Sequence, residues 1–229
     1  MMKWSEMFTS SVGKKLVMGL TGIFLILFLI VHVGLNACIW AFDGGVMFNK
    51  AAHFMGANWV PRILEVGLFL GFILHILQGF VLTFQNRSKR KQGYAVPMGN
   101  DGSKWYSRSM GILGTLLLLF LVMHLAHFWV PSRITGLNEM TLPNGEKLHD
   151  LFGEMVTVFQ NQIVVALYLV GCLSLSWHLL HGFQSAFRTF GVSNGRYLKL
   201  LNCLGTSFAI LVPLAFAMMP ISIYLGWVK

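Results

Sequence analysis

The sequence predicts an all-α membrane protein with five transmembrane helices, the first four of which form a bundle. The chain has 229 residues, 55% hydrophobic and only 11% charged, whereas soluble domains carry about 25% charged residues. The mean hydropathy of +0.67 agrees with a membrane protein. The apolar residues also form five runs long enough to cross a bilayer, which takes about 20 helical residues. We expect a single membrane domain over residues 1–229.

The five predicted spans follow these apolar runs. They cover about residues 16–40, 61–86, 109–130, 161–187 and 201–227. Lys14 and Lys15 precede the first run, which is too long for a signal peptide and lacks a small-residue cleavage site, so we expect a retained helix. Pro213 and Pro220 predict a kink in the fifth span. The connection 131–160 is expected to hold a short interfacial helix at "HDLFGEM".

Basic residues at the ends of the spans predict the orientation. Twelve of the 17 lysines and arginines fall at the N-terminus and in the connections 87–108 and 188–199, and five fall on the other side. The positive-inside rule places the N-terminus in the cytoplasm, in a multi-pass protein of the bacterial cytoplasmic (inner) membrane. The "RSKRK" stretch is expected to contact membrane lipid or a soluble partner. The sequence contains no basic-aromatic patch of the kind that binds nucleic acid, so we expect no nucleic-acid partner.

Histidines inside the spans are the residues that point to function. Six of the eight lie in the first four spans, and each of these spans contributes at least one. A single intramembrane histidine can be a hydrogen-bonding group or a proton relay, but histidines on four helices are typical of a cofactor site. At 1.5 Å per residue, His32 lies ~25 Å above Lys15 and His124 lies ~24 Å above Arg108. These two form an outer pair.

A second pair lies at a different depth. His75 is ~18 Å from Arg87 and His178 is ~15 Å from Arg188, by the same rise per residue. Each depth therefore draws one histidine from each of two helices. This arrangement predicts two b haems, each with its iron bound by two histidines, in a four-helix bundle.

Other metal sites fit the sequence less well. Zinc and di-iron sites need carboxylates or cysteines beside the histidines, and the spans hold almost none. The three cysteines lie apart within apolar segments. The sequence has no CxxCH motif, so covalently attached haem of that type is not expected. Because a six-coordinate haem iron has no open position, electron transfer is favoured over oxygen chemistry.

Glycines and further histidines accompany the predicted ligands. Gly79 and Gly182 each lie four residues after a histidine, so they share its helix face and could make room for a flat macrocycle; ordinary small-residue helix packing would also explain them. Spacing alone leaves the choice between His124 and His127, and between His178 and His181, open. We favour His124 and His178, with His127 and His181 bonded to haem propionates, waters or a quinone.

Six segments of the first four spans and the first connection follow a known pattern. They are "GIFLILFLIVH", "FNKAAHFM", "PRILEVG", "FILHILQGF", "GTLLLLFLVMH" and "YLVGCLSLSWHLLHGF". In these segments the sequence resembles the five-helix, di-haem cytochrome b subunit of succinate dehydrogenase and quinol:fumarate reductase. By similarity, His32, His75, His124 and His178 fall at the four haem-ligand positions, paired first with third and second with fourth.

The resemblance implies a complex and its partners. A flavoprotein with FAD and an iron–sulfur subunit would dock on the cytoplasmic face, and this subunit would exchange electrons with a quinone, usually menaquinone. The chain has neither a Rossmann glycine motif nor a cysteine cluster, so we do not expect it to perform succinate chemistry itself. Some family members carry a glutamate two residues before the fourth ligand as a proton path. This chain has Ser176 there, so that path is not carried over.

The quinone site is expected near the outer haem, at the start of the second span. Glu65, Arg62 and His53 are the residues predicted for it, with the Glu65 carboxylate taking protons from a quinol. Arg62 and Glu65 could equally form an interfacial ion pair.

Other functions fit the same histidines. One is the di-haem anchor of a formate dehydrogenase or hydrogenase, and another is a haem carrier with exchangeable haem. A lipid-embedded scaffold without a cofactor is the least specific alternative.

Overall fold

A computed structural model of the chain describes residues 10–88, 104–192 and 194–228. Residues 89–91 of the predicted basic surface lie outside this part of the chain. Of the eight α-helices in the described residues, three are short. They are α2 (Val46–Ala57), α4 (Trp105–Arg108) and α6 (Leu151–Phe159). The other five are α1 (Ser11–Asn36), α3 (Trp59–Ser88), α5 (Met110–His124), α7 (Gln162–Thr189) and α8 (Gly195–Tyr224).

These five long helices are apolar enough to cross a membrane, which confirms the predicted all-α membrane fold. α1 continues into a 3-10 turn at Ala37–Ala41. α5 continues through two π-helical turns, Leu125–Trp129 and Pro131–Thr135. Large apolar side chains such as Leu77 and Leu119 stay exposed along the helices. In a bilayer this surface meets lipid instead of water.

The fifth spanning helix, α8, contains Pro213 and Pro220 and remains helical through both. A proline has no N–H, so each one removes the helical hydrogen bond to the carbonyl four residues earlier. Such a carbonyl needs another donor when it is buried away from water.

The helical residues divide into two compact units, and each unit contains part of every spanning helix. In the first unit, which draws on residues 1–28, 68–116 and 174–210, glycines allow close helix packing. A Cβ at Gly71 would lie 2.9 Å from the Phe24 ring, and a Cβ at Gly111 would lie 2.8 Å from Thr83. The Ser174 hydroxyl donates to the Leu113 carbonyl at 3.2 Å and joins α7 to α5.

The second unit, which draws on residues 29–67, 117–173 and 211–229, has an aromatic core. Phe159 and Tyr168 pack edge to face with ring centroids 4.9 Å apart. The α2 side chain Asn49 is fully buried. It donates to the Asp150 carboxylate at 2.8 Å and accepts from the Phe152 N–H at 2.9 Å, which ties α2 to the start of α6.

The connection between α5 and α6 contains a β-hairpin that the sequence reasoning did not predict. Strands β1 (Glu139–Thr141) and β2 (Lys147–His149) pair antiparallel. The turn contains Asn144 and Gly145, and Gly145 has a φ of +84°, which glycine adopts without steric cost. Across the strands, the Lys147 ammonium donates to Glu139 at 2.8 Å and holds the pKa of that carboxyl below its ordinary value. The short helix predicted at "HDLFGEM" is present as α6, and its position at the membrane interface stays a prediction.

Candidate functional site

The first histidine pair lies in the second unit. His32, on α1, and His124, the last residue of α5, face each other with ring centroids 5.8 Å apart and ring planes at 88°. The Phe216 ring on α8 lies 5.5 Å from His32. Phe120 stacks on His124 at 5.6 Å. Aromatic side chains thus border both imidazoles, and they keep polar solvent away from the pair.

The second pair lies in the first unit. His75, on α3, and His178, on α7, have ring centroids 6.2 Å apart and ring planes at 62°. The ring that meets His75 is that of His178, and His181 lies half-buried one turn further along α7. The histidines that meet are thus the two pairs derived from depth. Whether they bind a metal remains a prediction.

The spacing of both pairs fits a metal ion held between two imidazoles. Two rings that bind one ion from opposite sides are separated by two metal–nitrogen bonds of about 2 Å each, and by the short step from each nitrogen to its ring centre. The centroid distances of 5.8 and 6.2 Å agree with this arrangement. Among the described residues, no group of three or more histidine, cysteine, aspartate or glutamate side chains could hold a metal ion.

The hydrogen bonds of His75 indicate which ring nitrogen is available to a ligand. The Thr21 hydroxyl donates to the Val17 carbonyl at 2.8 Å and lies 3.1 Å from Nδ1 of His75. Because the hydroxyl proton is already engaged, Nδ1–H of His75 donates to the Thr21 oxygen. The neutral ring then keeps its free lone pair on Nε2, as a metal-binding histidine requires.

Nδ1 of His124 and Nδ1 of His178 are buried and have no hydrogen-bond partner among the described residues. A buried polar atom needs a partner, and because iron would bind at Nε2, a polar group or water would have to serve Nδ1. Among the described residues, each pair brings together two imidazoles from different helices, which is the donor set that fits a haem.

Two glycines on neighbouring helices face the second pair, and the sequence reasoning missed both. A Cβ on Gly22 of α1 would lie 3.8 Å from Cε1 of His75, and a Cβ on Gly114 of α5 would lie 4.0 Å from Cε1 of His178. Each glycine lies ten residues before a histidine of the other pair, which corresponds to ~15 Å of helix. That repeated spacing is a signal that the sequence contains.

The two glycines that were predicted behave differently. A Cβ on Gly79 would make an ordinary 3.6 Å contact with Met18, and a Cβ on Gly182 would have nothing within 4 Å. Neither therefore faces a ligand ring in the way that Gly22 and Gly114 do. Their role beside a haem face remains a prediction.

His127 has a protein partner that the sequence reasoning did not consider. Its Nδ1 lies 3.1 Å from the Tyr168 hydroxyl, and the two rings are stacked at 5.9 Å and 10°. Tyr168 is buried, and its ring also lies 6.1 Å from that of His124. His127 is therefore hydrogen-bonded to Tyr168, a residue that packs against His124 of the first pair.

A charged cluster surrounds Glu65 at the start of α3. One carboxylate oxygen accepts from Arg62 at 3.1 Å, and the other accepts from the Trp129 indole at 2.5 Å and from Arg133 at 3.3 Å. Glu65 is only 20% exposed. The ion pair with Arg62 is the i,i+3 pair considered from the sequence. His53 is exposed on α2, and no hydrogen bond or ion pair links it to this cluster in the described part of the chain.

Trp129 and Arg133 were not predicted as members of the cluster. Both belong to the π-helical turns that extend α5. A π turn changes the direction of the side chains that follow it, so the ordinary helical spacing does not show that these two residues reach Glu65. The neighbouring letters "HFWVPSR" give only an aromatic and basic composition.

The comparisons with known proteins give one curated relative. The chain is 27% identical over 168 residues to the succinate dehydrogenase cytochrome b558 subunit of Bacillus subtilis (strain 168), and the alignment covers 73% of each chain. No family model matches the sequence, and no solved structure matches it.

Proposed function

We propose that this chain is a di-haem electron carrier of the kind that anchors succinate dehydrogenase to the membrane, which its similarity to one cytochrome b558 subunit supports. It would pass electrons between an iron–sulfur subunit and a membrane quinone, with menaquinone as the quinone that the family resemblance implies. The observation that carries the proposal is the meeting of four intramembrane histidines in two pairs, each drawn from two different helices.

His32 and His124 would bind one b haem, and His75 and His178 the other. A haem iron held by two histidines carries single electrons and has no open position for oxygen. Neutral imidazoles would hold the iron, and Thr21 orients His75. Aromatic side chains border the first pair and keep water from it. His181, Gly79 and Gly182 would lie beside the second haem.

The Glu65 cluster is the proposed place of quinone reaction. A quinol that gives up its electrons also releases protons, and the Glu65 carboxylate is the group that can accept them. The single N–H of the Trp129 indole already donates to Glu65, whereas the Arg62 and Arg133 guanidinium groups beside it have further N–H groups that would donate to quinone oxygens. His53 is exposed and outside these contacts, and its part in the quinone site stays a prediction.

The proposed partners are a flavoprotein with covalent FAD and an iron–sulfur protein on the cytoplasmic face, where the basic ends of the spans are expected.

The experiment that tests this function is to purify the tagged chain from its native membrane in mild detergent. Both partners should accompany it, and the complex should reduce a quinone with electrons from succinate. Recovery with the catalytic subunit of a formate dehydrogenase or a hydrogenase would contradict this assignment.

A further inference from the structure

A buried carbonyl on α8 is left without its helical donor. Pro213 lies inside α8 and has no N–H, so the carbonyl of Ala209, four residues earlier, receives no hydrogen bond from its own helix. Ala209 is 0% exposed. An unsatisfied carbonyl inside a membrane helix bundle is costly because neither water nor lipid can supply a donor.

Ser176 supplies that donor from the neighbouring helix. Its hydroxyl donates to the Ala209 carbonyl at 2.7 Å and joins α7 to α8. The same two helices also meet further along, where a Cβ on Gly205 would lie 2.6 Å from the Phe183 ring. Phe183 follows Ser176 by seven residues, which is close to two helical turns, so both lie on one face of α7.

The position of Ser176 relative to His178 gives this contact its significance. Each residue of an α-helix is turned by about 100° from the one before it, so Ser176 and His178, two positions apart, lie about 200° apart around the axis. Ser176 therefore binds α8 on the side of α7 opposite to the one from which His178 meets His75. Rotation of α7 that turned the His178 ring away from His75 would break the bond to Ala209.

We propose that Ser176 is a positioning residue for His178, which fixes the rotation of α7 by supplying the hydrogen bond that Pro213 removes from Ala209. α8, which contributes no histidine, is in this way part of the site that His75 and His178 form. The inference rests on the proposed haem at that pair. It also gives Ser176 a role unlike that of a proton-conducting glutamate.

The test compares serine and proline variants of the complete complex. Ser176→Ala should shift the midpoint potential and the low-spin electron paramagnetic resonance signal of one haem, the one that is lost in His178→Ala. The other haem should keep its signal. Ser176→Ala combined with Pro213→Ala should restore the wild-type signal, because residue 213 then has an N–H to donate to Ala209.

Two controls make the rescue specific. Ser176→Ala combined with Pro220→Ala removes a proline from the same helix without restoring the donor to Ala209, so the shift should remain. Ser185→Ala removes an exposed hydroxyl from α7 and should change neither haem. If Ser176→Ala does not fold, the combination with Pro213→Ala should still fold and bind both haems.

The outcomes separate the two proposals. A wild-type protein without haem overturns the proposed function itself. Two wild-type haem signals that are unchanged in Ser176→Ala overturn only the role of Ser176, and so does a shift that Pro213→Ala fails to reverse. Equal disturbance of both haems also overturns it, because a general loss of packing has no reason to select one site.

Discussion

At the scale of single residues, each of the four imidazoles needs both a hydrogen-bond acceptor and a partner for its lone pair. A neutral imidazole has one N–H and one lone pair, and in hydrocarbon each needs a partner. His75 has such a partner in Thr21. His124 and His178 leave a buried Nδ1 without a partner among the described residues. Iron bound at Nε2, together with a polar group or water at Nδ1, would satisfy both nitrogens of these rings.

The choice between neighbouring histidines on α7 gives the first prediction. His178→Ala should lower the haem content from two haems per chain to one, because it removes a ligand that meets His75. His181→Ala should retain both haems. Haem extraction with protein quantification measures the ratio, with exposed His149→Ala as the control. Loss of a haem in His181→Ala, but not in His178→Ala, would reverse the assignment.

Gly114 gives a second prediction at this scale. A Cβ there would stand 4.0 Å from His178, so Gly114→Ala should be tolerated. Gly114→Leu should place its side chain against the ring and lose the haem of this pair, with about 1–3 kcal/mol of destabilisation from overpacking. A Cβ on Gly67 would have nothing within 4 Å, so Gly67→Leu provides the matched control. Full haem content in Gly114→Leu would contradict the packing.

Much of the histidine arrangement was predictable because depth along a straight helix follows from residue number alone. The facing glycines were not predicted, since reasoning about a glycine on the ligand's own helix says nothing about neighbouring helices. Gly22 and Gly114 approach the ligands from other helices, and that contact depends on how the helices pack. The assignment of Glu65 to a polar cluster was anticipated, whereas its partners Trp129 and Arg133 were not.

At the scale of elements, the long helices were predictable and their terminal turns were not. An apolar run of sufficient length forms a helix in a bilayer because every backbone polar group must be satisfied internally. The π-helical turns after α5 depend on local packing, and they bring Trp129 and Arg133 to Glu65. The β-hairpin was missed although Asn144 and Gly145 give a turn signal, because its strands have only three residues each.

The Glu65 cluster, in which the turns after α5 meet the start of α3, gives the third prediction. Glu65→Gln keeps the shape of the side chain and removes the charge that faces two arginines, so quinol-linked turnover should fall about tenfold or more, as general-base catalysis contributes at least 10²-fold. Both haem spectra should stay unchanged. Glu139→Gln alters an exposed carboxylate of the hairpin and serves as the control. Unchanged turnover in Glu65→Gln would remove this cluster from the quinone site.

The contact between α2 and α6 gives the fourth. Asn49→Ala leaves the Phe152 N–H and an Asp150 oxygen without their partner in a buried setting. The expected loss of stability is about 1–3 kcal/mol. Thermal unfolding in detergent measures it, compared with Asn58→Ala at an exposed position. Equal melting temperatures for the two variants would show that this contact contributes little.

At the scale of the whole molecule, composition and function are connected through the membrane. The chain exposes apolar side chains along its helices, and its charges concentrate at the helix ends. Two histidine pairs lie within these apolar helices, where a polar side chain calls for a functional reason. The relative that aligns with 73% of the chain is a cytochrome b subunit, which supports the proposal that this function is haem binding.

The central claim is that each histidine pair binds one b haem. The most direct measurement is a reduced-minus-oxidised absorption spectrum of the purified protein, together with its haem-to-protein ratio. The account predicts the bands of low-spin b haem and two haems per chain. A colourless protein from a haem-replete host, or a ratio that stays at one with all four histidines intact, would contradict it.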